Sequence, residues 1–131
     1  MIRHLFRFIV LLSSILSSTT FDEPSFTIET IPASKGNWTY IPEGKGEMII
    51  RITTTNADRV KVWRVPTGTQ QWSERKLICD HSGLKNNWAC VWSYNEKESI
   101  HDHFVVIAYN KGSELYQSII SVTRSHSVHH Q

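Results

Sequence analysis

The sequence predicts an all-β domain, a two-sheet sandwich, that follows a short secretory leader. Runs rich in β-branched and aromatic residues recur between residues 47 and 122, and several show the period-two alternation of a half-buried strand. Glycine and proline punctuate the connections between these runs, and no stretch after residue 20 keeps a helical periodicity. Short strands at regular spacing, with such turn residues between them, are typical of a β-sandwich.

Six strands are expected, over residues 47–55, 59–65, 76–80, 88–94, 103–109 and 115–122. In the second strand Val60 and Val62 share one face, and Trp63 lies on the other. Gly112 sits in the short connection between the last two strands, which predicts a hairpin with a positive φ angle at this glycine. Residues 21–35 form either a further strand or an irregular lead-in. The predicted core comprises Val60, Val62, Trp92, Ile107 and Ile119.

The first twenty residues have the order of a secretory signal peptide. Arg3 and Arg7 give a positive start, residues 8–12 are apolar, and small serines and threonines fill residues 17–20. The apolar run is shorter than the roughly 20 residues that a membrane-spanning helix needs, and an uncleaved membrane anchor is the alternative. The chain therefore divides into a signal peptide at 1–20, one β-sandwich domain at 21–124 and a flexible polar tail at 125–131.

Removal of the leader leaves a chain of balanced charge. The full sequence has 14 lysines and arginines against 12 aspartates and glutamates. Arg3 and Arg7 leave with the leader, so 12 residues of each sign remain. A balanced surface gives no long-range attraction to nucleic acid or to an acidic membrane. We therefore expect no nucleic-acid partner, and membrane contact only through an uncleaved leader.

The two cysteines, Cys79 and Cys90, predict a disulfide bond. An exported protein meets an oxidising compartment, where an even cysteine count favours a bridge over free thiols. The two residues fall in consecutive predicted strands, so the bridge is expected to tie a hairpin or two neighbouring strands and not to join two sheets. A redox-active pair usually has the Cys-x-x-Cys spacing, whereas these cysteines are eleven positions apart.

Three stretches carry a resemblance to a known class of domains. Residues 60–78 read VKVWRVPTGTQQWSERKLI, residues 88–92 read WACVW, and residues 101–123 read HDHFVVIAYNKGSELYQSIISVT. This pattern, over roughly residues 47–124, resembles the Ig-like domains found in secreted and cell-surface proteins of bacteria. The resemblance implies an Ig-like β-sandwich that serves as a spacer or an adhesive module outside the cell, and a fold by itself assigns no chemistry.

Tryptophans provide the first candidate site. Trp63 and Trp72 flank a proline-stiffened connection at residues 66–71, and Arg64 and Arg75 lie beside them in the sequence as hydrogen-bond donors. Exposed aromatic rings on a β-sandwich can stack on sugars, because a large apolar ring also carries a polar handle. We take Trp63, Arg64 and Trp72 as the candidate partner-binding residues. Coverage of the core is the alternative role for either tryptophan.

Histidines provide the second candidate site. His101 and His103 project to one face of an extended chain, a spacing that suits two zinc ligands, and His81 completes the candidate set if the loops meet. Solvent-facing histidines without a ligand are the alternative.

Asn37 begins a glycosylation sequon. The sequon matters only in a eukaryotic secretory pathway, and the resemblance to bacterial domains favours a chance occurrence.

Catalysis finds no support in the sequence. No Gly-x-Ser-x-Gly, His-Glu-x-x-His, P-loop or dinucleotide fingerprint occurs. We therefore expect a secreted, non-catalytic binding or adhesion module without a cofactor, whose partner is an extracellular protein or a carbohydrate. Two alternatives remain open: a small secreted inhibitor or effector of an extracellular enzyme, and a histidine-based metal-binding protein.

Overall fold

The computed structural model describes residues 25–66 and 72–124 of the chain. Its eight strands are β1 Phe26–Ile31, β2 Trp38–Ile41, β3 Gly46–Thr54, β4 Arg59–Pro66, β5 Lys76–Ser82, β6 Asn87–Tyr94, β7 His101–Asn110 and β8 Ser113–Arg124. A single-turn 3-10 helix, Trp72–Glu74, precedes β5. The predicted signal peptide at 1–20 and tail at 125–131 lie outside the described residues. Within those residues, no helix has the length and apolar character of a membrane span.

The strands form two sheets with the strand order of an Ig-like sandwich. Strands β1, β3 and β6 make one sheet in the order β1-β3-β6, and the other five make a sheet in the order β2-β8-β7-β4-β5. Neighbouring strands are antiparallel except β2, which runs parallel to β8. In a constant-type Ig domain, strands A, B and E oppose strands C, F and G. Here β1, β3 and β6 oppose β4, β7 and β8, so the predicted all-β sandwich is confirmed.

Alternate apolar residues of both sheets bury one another in a single core. Every second residue of β6 is buried, from Trp88 to Tyr94, because the side chains of a strand alternate between its two faces. The predicted core residues Val60, Val62 and Trp92 belong to this cluster. They share it with fully buried side chains of the other strands, among them Ile41, Met48, Ile50, Ile52, Phe104 and Val106.

Two predicted core residues lie outside this core. Ile107 is buried, but it packs with Val65 and Val105 in a second, smaller cluster on the other side of the five-stranded sheet. Ile119 is 58% exposed, so the prediction that it is a core residue is wrong. The register of β8 on β7 places Ile119 opposite Val105, whereas Ile120 is turned inward and is buried. A period-two pattern does not tell which face is the core when both faces carry apolar residues.

Cys79 and Cys90 form the predicted disulfide, with their Cα atoms 6.0 Å apart. Cys79 lies in β5, at the edge of the five-stranded sheet, and Cys90 lies in β6, at the edge of the three-stranded sheet. The bridge therefore joins the two sheets, and the expectation that it ties a hairpin or neighbouring strands is wrong. The chain passes from one sheet to the other between β5 and β6, so these consecutive strands are not hydrogen-bonded neighbours.

Two further elements show what local sequence does and does not reveal. The predicted hairpin between β7 and β8 is present, and its loop residues Lys111 and Gly112 have φ angles of 49° and 83°, the positive pair of a type I′ turn. Strand β2 has no counterpart among the predicted strands. It has four residues, and Trp38 pairs with Ser121, far along the chain, so its partner lies beyond any local pattern.

Candidate functional site

The side of the five-stranded sheet that faces away from the core forms a broad surface, which we call the outer face. Four of the eight exposed large hydrophobic side chains among the described residues lie on or beside it: Tyr40, Trp72, Leu77 and Ile119. The strand register and the alternation of side chains place the following residues there: Trp38, Tyr40, Lys61, Trp63, Val65, Leu77, His101, His103, Val105, Ile107, Tyr109, Ile119 and Ser121.

An aromatic cluster, composed of Lys61, Trp63, Trp72, Arg75 and Tyr109, occupies one part of the outer face. The ring centroids of Trp63 and Trp72 lie 5.8 Å apart in an edge-to-face arrangement. The guanidinium carbon of Arg75 lies 4.5 Å from the Trp63 centroid and 4.6 Å from the Trp72 centroid. The ammonium of Lys61 lies 5.8 Å from the Trp63 centroid and 5.5 Å from that of Tyr109. At these distances the rings attract both cations.

The single-turn helix brings Trp72 and Arg75 to strand β4. The backbone amide of Arg75 and its Nη1 both donate to the carbonyl oxygen of Trp72, at 3.2 and 2.9 Å. These two bonds close the turn, so the indole of Trp72 and the guanidinium of Arg75 meet Trp63 as one preformed unit. Trp72 remains 44% exposed, which leaves part of its ring available to a partner.

The aromatic cluster also covers the second apolar layer. Trp63 and Tyr109 pack against the buried side chains of Val65, Val105 and Ile107. Burial raises the pKa of the Tyr109 hydroxyl above its usual value, and the carboxylate of Glu114 adds to the rise. Trp63 therefore has a structural role on this face, and Trp72 is its exposed partner.

A second set of polar and aromatic side chains lies on the opposite half of the outer face. The rings of Trp38 and His101 stack with their centroids 4.9 Å apart, and the hydroxyl-bearing ring of Tyr40 is exposed. Nδ1 of His103 lies 3.2 Å from the hydroxyl of Ser121. Aromatic and apolar groups therefore extend across the whole width of the sheet, from β2 to β5.

Arg64, a predicted partner-binding residue, does not share the outer face with the tryptophans. It lies on the inner side of β4, where its Nε donates to Asp102 Oδ2 at 2.7 Å. Its guanidinium carbon lies 4.9 Å from the ring centroid of Trp92, a core residue. The structure thus brings Trp63 and Trp72 together and places Arg64 across the sheet, because adjacent residues of a strand project to opposite faces. Arg75 occupies the position beside the two rings.

The three candidate metal ligands do not converge. His101 and His103 share the outer face, as expected from their spacing. His81 lies on β5 opposite Val60, and Val60 pairs with Ala108 of β7. Ala108 is seven residues from His101 along β7, so His81 and His101 lie roughly 20 Å apart along the strand direction. Within the described ranges, no three His, Cys, Asp or Glu side chains are grouped so that they could hold a metal ion. His81, His101 and His103 are therefore not a three-ligand site.

Lys61, Tyr109 and Tyr40 are members of the outer face that were not predicted from the sequence. A signal for the first was present, because Lys61 lies two residues before Trp63 and must share its face. Tyr109 and Tyr40 reach the same face only because β7 pairs with β4 and β2 pairs with β8. Those pairings are a property of the folded chain.

Comparisons with known proteins identify no family. No protein-family model matches the chain, and no curated protein sequence matches it significantly. A chain from a structure on T cell specificity and activation by the bacterial superantigen toxic shock syndrome toxin-1 has a TM-score of 0.46 and 10% identity, over 77% of this chain and all of that one. The CARDB domain of a Pyrococcus furiosus protein, solved with di-metal ions, has a TM-score of 0.46 and 12% identity, over 84% and 96% of the two chains.

An engineered protein of known structure is also similar, with a TM-score of 0.47 and 12% identity. This similarity covers 79% of the present chain and 20% of the engineered one. At such identities and TM-scores, none of the three similarities assigns a ligand or an activity to this chain.

Proposed function

We propose that the chain is an extracellular binding module that holds a protein partner against the outer face. The observation that carries this proposal is the presence on that face of four exposed hydrophobic side chains, one of which, Trp72, contacts a second tryptophan and an arginine. Exposed apolar patches mark interaction sites, and tryptophan and arginine are enriched among the residues that dominate the energy of protein interfaces.

The shape of the surface favours a protein over a carbohydrate. Five strands span about 20 Å across the sheet, and Tyr40, Ile119 and Leu77 are spread over that width. A standard interface needs about 800 Å² from each partner, which suits an extended face. The guanidinium of Arg75 already contacts the rings of Trp63 and Trp72, so less ring surface is left for a sugar to stack on.

Two features support an extracellular place of action. Both cysteines are joined in one disulfide, and such bonds persist in oxidising compartments. The sequence also begins with the charge and apolar pattern of a secretory leader. Fractionation of the source cells, with the N-terminal sequence of the recovered protein, tests export and removal of residues 1–20 together.

Substitution of exposed residues on the outer face tests the binding site. The immobilised wild-type chain and its Ile119→Asp and Trp72→Ala variants are compared for retention of a protein from the culture fluid of the source organism. Ile119 is 58% exposed, and such surface changes usually alter stability by about 0.5 kcal/mol or less. Trp72 also contacts Trp63, so the melting temperature of each variant is measured beside its binding. We expect both variants to lose the partner while their melting temperatures stay close to wild type.

Leu84→Asp is the matched control, because Leu84 is 97% exposed and lies in the turn between β5 and β6, away from the outer face. It should retain the partner as wild type does. Equal retention by Ile119→Asp and wild type would remove the outer face as the binding site. Release of the partner by soluble sugars would instead identify a carbohydrate ligand.

A further inference from the structure

The edges of the two sheets differ in how they are protected against pairing with another chain. An edge strand presents a row of unpaired backbone N–H and C=O groups, and natural proteins guard it with charges, bulges, proline or short length. The three-stranded sheet ends in β1 and β6, and the five-stranded sheet ends in β2 and β5. Three of these four strands carry such a guard.

The guards can be read from the structure. Strand β5 contains Lys76 and Asp80, and its pairing with β4 is interrupted by an irregularity between Val62 and Trp63. Strand β2 has only four residues. Strand β1 has six residues, contains the charged Glu29 and ends one position before Pro32.

Strand β6 has none of these features. Its eight residues, NWACVWSY, include no charged residue and no proline. Its register on β3 is unbroken from Asn87 to Tyr94. The side chains on its solvent-facing side are Asn87, Ala89, Val91 and Ser93, and Val91 is 50% exposed. Strand β6 is therefore a regular and uncharged edge strand of its sheet, and β5 of the other sheet approaches it at the Cys79–Cys90 bridge.

The hydrogen-bond pattern shows which backbone groups point out of this edge. The amide of Thr54 donates to the carbonyl of Asn86 at 2.9 Å, which makes these two residues a hydrogen-bonded pair. Such pairs alternate along an antiparallel ladder, so Trp88, Cys90, Trp92 and Tyr94 also bond to β3. The N–H and C=O groups of Asn87, Ala89, Val91 and Ser93 consequently face away from the sheet.

We propose that two copies of this chain pair through their β6 strands, antiparallel and about a twofold axis, to form one continuous six-stranded sheet. A twofold interface sets the same surface against itself, so a charged edge would place like charges opposite one another. The uncharged β6 avoids this repulsion, whereas a β1 pair would bring two Glu29 carboxylates together. The disulfide at Cys90 anchors β6 to the other sheet, so little order is lost when it pairs.

The charged residue on β1 limits the assembly to two copies. In the six-stranded sheet both outer edges are β1 strands, each with its Glu29, and these edges resist further growth. The outer face belongs to the other sheet and stays free in the dimer. The pairing therefore does not depend on the proposed function, and it would present two outer faces in one particle.

A backbone substitution on β6 tests the pairing directly. Sedimentation of the purified exported chain over a concentration series should give twice the chain mass for wild type. Val91→Pro removes an N–H that faces out of this edge and is not used within the sheet, a position where an edge strand tolerates proline. We expect it to sediment as a monomer at every concentration, with circular dichroism that is unchanged. Val91→Thr keeps the N–H and is the matched control, expected to remain a dimer.

A second variant controls for the possibility that proline at position 91 unfolds the domain. Val91→Lys keeps the backbone N–H but places two like charges near the twofold axis, and it should raise the dimer dissociation constant by up to about fivefold. A wild-type chain that stays monomeric at the highest soluble concentration would overturn the proposal. A dimer whose dissociation constant is unchanged in both Val91→Pro and Val91→Lys would also overturn it, as would a monomer that binds an extended peptide at β6 instead of a second copy.

Discussion

Arg64 and Asp102 form an ion pair on the inner side of the five-stranded sheet, with Arg64 Nη2 2.6 Å from Asp102 Oδ2. Their side chains are only 15% and 8% exposed, and Glu98 Oε1 lies 3.5 Å from Arg64 Nη1. The guanidinium also lies over the ring of Trp92. This pair closes one end of the core, so Arg64 serves the fold and not the outer face.

Removal of the arginine should therefore destabilise the domain. Arg64→Ala leaves the buried Asp102 carboxylate without its main partner, a type of change that costs about 3–5 kcal/mol. Urea unfolding followed by tryptophan fluorescence measures the loss. Arg59→Ala is the matched control, because its pair with Asp80 is much more exposed, and exposed pairs contribute little. Equal losses for the two variants would contradict a structural role for the Arg64 pair.

Removal of the disulfide should weaken the link between the sheets. Cys79 and Cys90 are 11 positions apart, and closing a loop of this size stabilises a domain by about 3 kcal/mol in the chain-entropy model. We expect Cys79→Ala/Cys90→Ala to lose a free energy of this order in denaturant unfolding. Thiol titration of the unreduced wild-type chain should find no free thiol, and two free thiols would contradict the bridge.

Two isoleucines that look alike in the sequence should respond differently to truncation. Ile107 is 2% exposed, so Ile107→Ala should cost about 2–5 kcal/mol through lost burial and the cavity left behind. Ile119 lies on the neighbouring strand and is well exposed, so Ile119→Ala should change the unfolding free energy by about 0.5 kcal/mol or less. Thermal unfolding of both variants measures this difference. A large loss of unfolding free energy for Ile119→Ala would show that the side chain of Ile119 is buried in solution.

The raised pKa of Tyr109 predicts a loss of stability in alkali. Burial disfavours the charged phenolate, so the folded-state pKa lies above the unfolded value of 10.0. Below pH 10 both states keep the proton, so ionisation of this group leaves the unfolding free energy unchanged. As the pH rises from about 10 through the folded-state pKa, the unfolded chain ionises first, and the unfolding free energy falls.

Tyr109→Phe isolates this contribution, because it removes only the ionisable hydroxyl. The unfolding free energy of wild type should fall relative to that of Tyr109→Phe as the pH rises above 10. A difference that stays constant from neutral pH into this range would show that the Tyr109 pKa is not raised by folding.

Local patterns in the sequence were enough to predict several features. The alternation of residues 59–65 placed Val60 and Val62 opposite Trp63, and the structure has them on opposite sides of β4. Gly112 marked the turn between β7 and β8. The even cysteine count indicated the bridge that Cys79 and Cys90 form. Each of these depends on the φ preference of one residue, on the two-residue period of a strand, or on composition.

Other features were decided only when distant strands met. Nothing near Trp38 indicates that it pairs with Ser121, and nothing near Cys90 indicates that its strand lies in a different sheet from that of Cys79. Both faces of the five-stranded sheet carry apolar residues, so periodicity alone did not tell that Ile119 is exposed. Strand order and the choice of core face come from the burial of apolar area summed over the whole chain, and that sum exists only in the folded state.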